Sequence, residues 1–149
     1  MIRKLLLFSL IFIISCGYQP VYVNKIIKEI EFYKIHLEGD KEVNRRIISF
    51  LSIKENKLDN MLEELFLDSN FIVEEISKNS KGQIISYRSK LTLQLTIKDG
   101  EKISRDLNFT EDFVYNNRDN KFELIEYQKD VKRNIIDKIL EKIIIKLNV

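Results

Sequence analysis

Tyr87-Arg88-Ser89-Lys90-Leu91-Thr92-Leu93-Gln94-Leu95-Thr96-Ile97-Lys98-Asp99-Gly100 is the stretch that decides the fold. Tyr87, Leu91, Leu93, Leu95 and Ile97 alternate with Arg88, Lys90, Thr92, Gln94, Thr96 and Lys98, the pattern of a strand with one dry face and one wet face. Asp99-Gly100 then supplies a tight hairpin turn. The chain returns with the same period, Ile103, Leu107, Phe109, Phe113 and Tyr115 against Ser104, Asp106, Asn108, Thr110 and Asp112, so a second strand runs to about Tyr115. Upstream, residues 66–77 carry Phe71, Val73 and Ile76 among acids and read as the preceding strand. The break at Lys78-Asn79-Ser80-Lys81-Gly82 suits a hairpin between the two. Three consecutive antiparallel strands follow.

Working outward, residues 30–37 are rich in β-branched and aromatic side chains, with Tyr33, Ile35 and Leu37 on one face and Lys34, His36 and Glu38 on the other, which predicts a first strand. Gly39-Asp40 ends it, and Asp40 can cap a helix that places Val43, Ile47, Ile48 and Leu51 at helical spacing and stops near Ser52. Residues 54–64 read as a linker with room for a turn or two of helix, because Leu58, Met61, Leu62 and Leu65 fit that spacing. Asn116 to Asn120 form a turn. From Lys121 a long helix sets Leu124, Tyr127, Val131, Ile135, Ile139 and Ile143, joined by Ile136, Leu140 and Leu147, on one broad stripe. The fold class is therefore α+β: a four-stranded, mostly antiparallel sheet with two helices packed on one face, forming a single domain over residues 30–149.

The N-terminus has a different character. Arg3 and Lys4 form a basic n-region, Leu5 to Ile14 a greasy h-region without a charge, and Ser15 a small residue directly before Cys16, the only cysteine. The run is too short to span a bilayer, which takes about 20 apolar residues. Ile13-Ile14-Ser15-Cys16-Gly17 reads as the lipid-attachment box of a bacterial lipoprotein precursor, with residues 1–15 as signal peptide and residues 16–29 as lipidated N-terminus and tether. An ordinary secretory signal with a chance cysteine would not need residues suited to lipidation on both sides of it. Several acyl chains on Cys16, at roughly 0.8 kcal/mol per buried methylene, make an anchor that does not readily dissociate. Pro20, the only proline, favours an extended tether. A lone cysteine offers no disulfide framework.

Losing residues 1–15 removes Arg3 and Lys4 from the 25 basic residues, which leaves them equal to the 23 acids. A neutral chain gives no global signature of nucleic-acid binding, so an anionic partner has to be met by a local patch.

The opening Cys16-Gly17-Tyr18-Gln19-Pro20-Val21-Tyr22 resembles the cysteine-glycine-aromatic-x-proline-leucine-tyrosine start of the LPS-assembly lipoprotein family, formerly rare lipoprotein B. The order of elements and the long helix after Phe113-Val114-Tyr115-Asn116-Asn117 are similar to that family across nearly the whole mature chain. The resemblance implies two helices on a four-stranded sheet. It implies a plug seated in the lumen of the outer-membrane β-barrel that delivers lipopolysaccharide to the outer leaflet, helping that barrel fold, occluding it and touching the lipid. It also implies an outer-membrane location on the periplasmic side, consistent with Gly17 rather than aspartate after the cysteine. Partners would be the barrel, lipopolysaccharide and, through the N-terminal lipid, the membrane. No cofactor is implied.

Candidate contacts for lipopolysaccharide phosphate or carboxylate, or for a partner, are Arg88 and Lys90 on the wet face and Lys98, Lys102 and Arg105 around the following hairpin. The commoner use of such residues is to keep an exposed strand face solvated. The final helix could lie on a membrane, but the sheet's apolar face needs a cover and this helix is the longest available. His36, the sole histidine, has no second ligand near it in sequence, so no metal site is expected. Glu74, Glu75, Asp106, Glu111 and Asp112 lack the nucleophile and base that catalysis would require, so no enzyme is expected. The alternative function is an anchored, periplasm-facing lipoprotein that binds a ligand or soluble protein on its open sheet and has no barrel partner.

Overall fold

The computed structural model describes residues 29–147. The expected signal peptide, Cys16 and all but the last residue of the expected tether lie outside the described residues. In chain order the elements are β1 (Ile30–Phe32), β2 (Lys34–Gly39), α1 (Lys41–Phe50), β3 (Ile53–Glu55), β4 (Glu64–Lys78), β5 (Ile84–Asp99), β6 (Lys102–Asn116) and α2 (Lys121–Leu147). The main sheet has four strands in the order β2-β4-β5-β6. β2 runs parallel to β4, and β4-β5-β6 form the antiparallel meander expected from their alternating pattern.

Both helices cover one face of this sheet. Val43 and Ile47 from α1, Leu51 directly after it, and Ile136, Ile139, Leu140 and Ile143 from α2 bury against Leu65, Leu67, Leu91, Leu93 and Leu95. The remaining face is open.

Three expectations are corrected. The predicted first strand over residues 30–37 is two strands: a bend at Tyr33, whose N–H donates to the Glu63 carbonyl at 2.8 Å, separates β1 from β2. β1 pairs in parallel with β3 in a separate two-stranded sheet, because the short helix α1 brings the chain back beside its own beginning. Phe32 and Ile53 carry that small sheet into the core. Secondly, residues 56–63 form no helix. The Asn56 carboxamide accepts from Leu58 N and the Asp59 carboxylate from Met61 N, giving the backbone turn bonds in place of helical ones. Leu58 and Met61 are left in solvent. Thirdly, Leu37, Ile103 and Phe113 were placed on the dry face by alternation, yet all three are exposed. A bulge skips Ser104 in the β5–β6 ladder and sets Ile103 opposite Lys98 on the open face, while Leu37 on the edge strand and Phe113 beside Tyr127 and Val131 of α2 keep the dry face but are only partly covered.

The crossing from β2 to α1 is fixed by contacts no periodicity reports. Gly39 adopts φ +82°, and a Cβ there would stand 1.8 Å from the Ser69 carbonyl oxygen. Asp40 caps α1, its carboxylate accepting from Glu42 N and Val43 N at 3.0 Å each. The buried Asn44 donates to the Glu38 carbonyl at 2.7 Å and accepts from the Ser69 hydroxyl at 2.8 Å. Lys132 of α2 reaches across to Asp40 at 2.9 Å and Glu42 at 2.7 Å, and Arg46 pairs with Asp137 at 2.7 Å, so the two helices are pinned together. Burial opposes both charges of the Asp40–Lys132 pair. For Asp40 the Val43 amide and Lys132 outweigh it and hold the carboxyl below its ordinary value; for Lys132 the two carboxylates outweigh it and hold the ammonium above its own.

Candidate functional site: open sheet face and hairpin tip

On the open face the register sets an acid beside each base. Glu64 opposes Lys98 and Glu74 opposes Arg88 across β4–β5, and Asp112 opposes Lys90 across β5–β6. Arg88 Nε lies 3.5 Å from Asp112 Oδ2. The Lys98 ammonium sits 4.3 Å from the centre of the Phe66 ring, which also stacks on His36 at 4.1 Å. His36 Nε2 in turn contacts Glu64 Oε2 at 3.0 Å. Asp106 accepts from Gln94 Nε2 and Thr96 Oγ1. This face is a charge-balanced polar lattice rather than a cationic patch.

The five cations singled out in the sequence are not gathered into one cluster. Arg88, Lys90 and Lys98 share the open face, but Lys98 stands about 30 Å along β5 from Arg88 at ~3.3 Å per residue. Lys102 opposes Asp99 at the hairpin. Arg105 pairs in register with Ile97, a core residue, and so takes the helix-covered side of the sheet at its outer strand.

A different cluster forms at the other end of the sheet. There Ile76, Ile85, Val114, Phe122 and Ile125 are all exposed. Between the β4–β5 turn and the start of α2 lies a groove of about 820 Å³, walled by Ile84, Ile85, Tyr87, Leu124 and Ile125 and rimmed by asparagines, Arg118, Asp119 and Lys121. Of the rim cations, Arg118 and Lys121 make no ion pair among the described residues, although the Arg118 guanidinium lies 4.2 Å over the Tyr127 ring. Local chemistry builds this tip. Asn79 Oδ1 accepts from Lys81 N and Gln83 N, and Gly82 supplies φ +78°. Asn117 donates its amide to the Ile85 carbonyl at 2.7 Å and its carboxamide to the Ile84 carbonyl at 2.9 Å, and Asn120 caps α2 through Phe122 N at 2.9 Å. An apolar groove with cations not held in ion pairs at its rim suits an amphiphile that carries acyl chains and anionic groups.

Periodicity does not mark this tip, because residues 78–82 and 116–120 read as turns only. The available signal was the pair Ile84-Ile85 next to a turn, together with Phe122 and Ile125, which fall off the buried stripe of α2. Among the described residues no helix is long and apolar enough to cross a membrane, and no three His, Cys, Asp or Glu side chains gather as a metal site would require.

A short α1 and a long α2 on one face of a mixed β2-β4-β5-β6 sheet make an α+β fold, and solved lipoprotein structures share it. The chain is similar to a minor lipoprotein from Acinetobacter baumannii (TM-score 0.55, 18% identity, 75% of this chain and 87% of that one). It is also similar to lipoprotein B from Nitrosomonas europaea (TM-score 0.52, 6% identity, 84% and 88%). Rare lipoprotein B from Shewanella oneidensis aligns over 78% of this chain and 99% of that one, with a TM-score of 0.49 and 13% identity. At such identities the likeness is one of fold, carried by the Acinetobacter and Nitrosomonas structures, and two helices on a four-stranded sheet is the fold that the sequence resemblance implied. No protein-family model and no curated sequence matches the chain.

Proposed function

We propose that this chain is an outer-membrane lipoprotein, held by acyl chains on Cys16 at the periplasmic side, that assembles with and plugs the β-barrel delivering lipopolysaccharide to the outer leaflet. The observation that carries the reading is the arrangement of the molecule's two ends. Glu29, the first described residue, pairs with Lys54 of β3 at the end where β2 and β4 begin, so the segment that carries Cys16 joins the body there. The apolar, cation-rimmed groove lies at the opposite end, about 50 Å away along strands of 15 and 16 residues at ~3.4 Å each. That span exceeds the ~25 Å apolar band of an outer-membrane barrel. A body anchored at one mouth therefore reaches the other with its amphiphile-binding tip, while its charge-balanced sheet face suits a wet lumen wall. The candidate lipid contacts move accordingly from Arg88, Lys90, Lys98, Lys102 and Arg105 to the tip.

The test is lipopolysaccharide retention by the purified lipoprotein. Ile85→Asp with Ile125→Asp lowers it at least tenfold, because each isoleucine contributes ~1.5–3 kcal/mol when covered. Arg88→Glu with Lys90→Glu changes it by less than about threefold, these side chains being already balanced by carboxylates. The reverse pattern overturns the assignment. The reading without a barrel has its own observation, a polar depression of about 240 Å³ on the open face lined by His36, Glu38, Phe66, Asp68, Gln94 and Thr96. A lipoprotein that always purifies without a barrel would favour that reading.

A further inference from the structure

The two edges of the main sheet differ. β2 is 6 residues long, whereas β6 presents 15, with only Phe109 and Tyr115 buried along it. A long unpaired edge is a template for adding a strand. We infer that β6 pairs antiparallel with β6 of a second copy of this chain, about a two-fold axis through Asn108.

That register is selected by the side chains. It sets Arg105 against Glu111 and Leu107 against Phe109 on the helix-covered face, and Asp106 against Thr110 on the open face, each contact occurring twice by symmetry. Arg105 makes no ion pair among the described residues, so the second copy supplies the carboxylate it lacks. Glu111 already holds Lys142 and would sit between two cations, and Asp106 already accepts from Gln94 and Thr96. A shift of the axis to Phe109 would put Asp106 against Asp112 twice. A shift to Leu107 would put Arg105 against Phe109 and run the pairing into the bulge at Ser104. Pairing about Asn108 uses Arg105 to Glu111 and stops short of that bulge. The inference does not depend on the barrel reading, and a second copy on β6 would have to leave before the chain entered a lumen.

The experiment is disulfide trapping of the full-length lipoprotein in its own membrane. In the proposed pairing the two Asn108 Cα atoms lie about 4.5–5.5 Å apart, within disulfide reach. Asn108→Cys gives a covalent dimer under mild oxidation, whereas Thr92→Cys on the central strand and the parent chain with Cys16 alone give none. Adding Arg105→Glu to Asn108→Cys cuts the yield roughly tenfold through two reversed pairs, and so does adding Glu111→Arg. Combining the two reversals restores most of it, which also shows that neither variant fails merely by misfolding. No dimer from Asn108→Cys, a yield indifferent to Arg105→Glu, or no recovery in the combined reversal each overturns the pairing. Recovery of a barrel in equal amount with no trapped dimer overturns the pairing and leaves the barrel reading standing.

Discussion

Replacing Gly39 by alanine tests the packing at the β2–α1 crossing. The new Cβ meets the Ser69 carbonyl oxygen at 1.8 Å and its carbon at 2.8 Å, and both atoms are backbone in the neighbouring strand. No side chain can rotate aside; β2 or β4 has to move. The positive φ alone costs about 1–2 kcal/mol. Moving the strands also strains the Asp40 N to Ser69 O bond of 2.9 Å and the buried Asn44–Ser69 contact, which together contribute about 2–3 kcal/mol. The expected loss is therefore about 3–5 kcal/mol. At roughly 2–4 °C per kcal/mol for a chain of this size, the melting temperature falls by ~10–15 °C. Gly82→Ala and Gly100→Ala are the internal controls. Their φ values of +78° and +58° are also left-handed, but a Cβ at either meets nothing within 4 Å. Each should lose only about 1–2 kcal/mol. Thermal unfolding of the purified chain, followed by circular dichroism, decides the matter. A Gly39→Ala loss no larger than that of Gly82→Ala would refute the steric argument.

The Asp40–Lys132 pair responds to pH at both extremes: the depressed Asp40 stabilises fully above the ordinary carboxylate value of about 3.9 and loses this as pH falls through its lower folded value, while the raised Lys132 stabilises fully below about 10.4 and loses this as pH rises through its higher one. Lys132→Met should make both arms of a melting-temperature profile shallower, and identical profiles would contradict the coupling. Tyr115→Phe removes the partner of the buried Ser89 hydroxyl, now at 3.1 Å, and should cost about 1–3 kcal/mol in urea unfolding, whereas Ser89→Ala with Tyr115→Phe should recover most of it. Ile139→Ala, at a position with no solvent exposure beneath α2, should cost about 2–5 kcal/mol, and a loss under 1 kcal/mol would mean that α2 does not cover the sheet as described.

The meander was legible because alternation along β5 and β6 reports burial directly, and the turn residues Asp99-Gly100 fix where the chain reverses. α1 and α2 were legible from their stripes, and the cap of α1 from Asp40. The division of β1 from β2 was not legible, since it depends on β3, three residues that pair only once α1 has turned the chain around. Side-chain bonding by Asn56 and Asp59 overrode the helical spacing of residues 58–65. At the candidate site the information missing from the sequence is register. That Glu74 and Asp112 neutralise Arg88 and Lys90, and that a bulge lies beside Arg105, follows from cross-strand partners, which one strand's pattern does not contain. The hairpin tip assembles from turns some 35 residues apart, and its apolar members are visible only once the helix is known to leave them uncovered.

The most direct measurement is co-purification of the tagged full-length lipoprotein from outer membranes in mild detergent, with quantification of what comes with it. The plug reading predicts a large β-barrel in close to equal amount and acyl chains on Cys16. Lipidated protein recovered alone, at barrel levels no higher than in an untagged control, would contradict it.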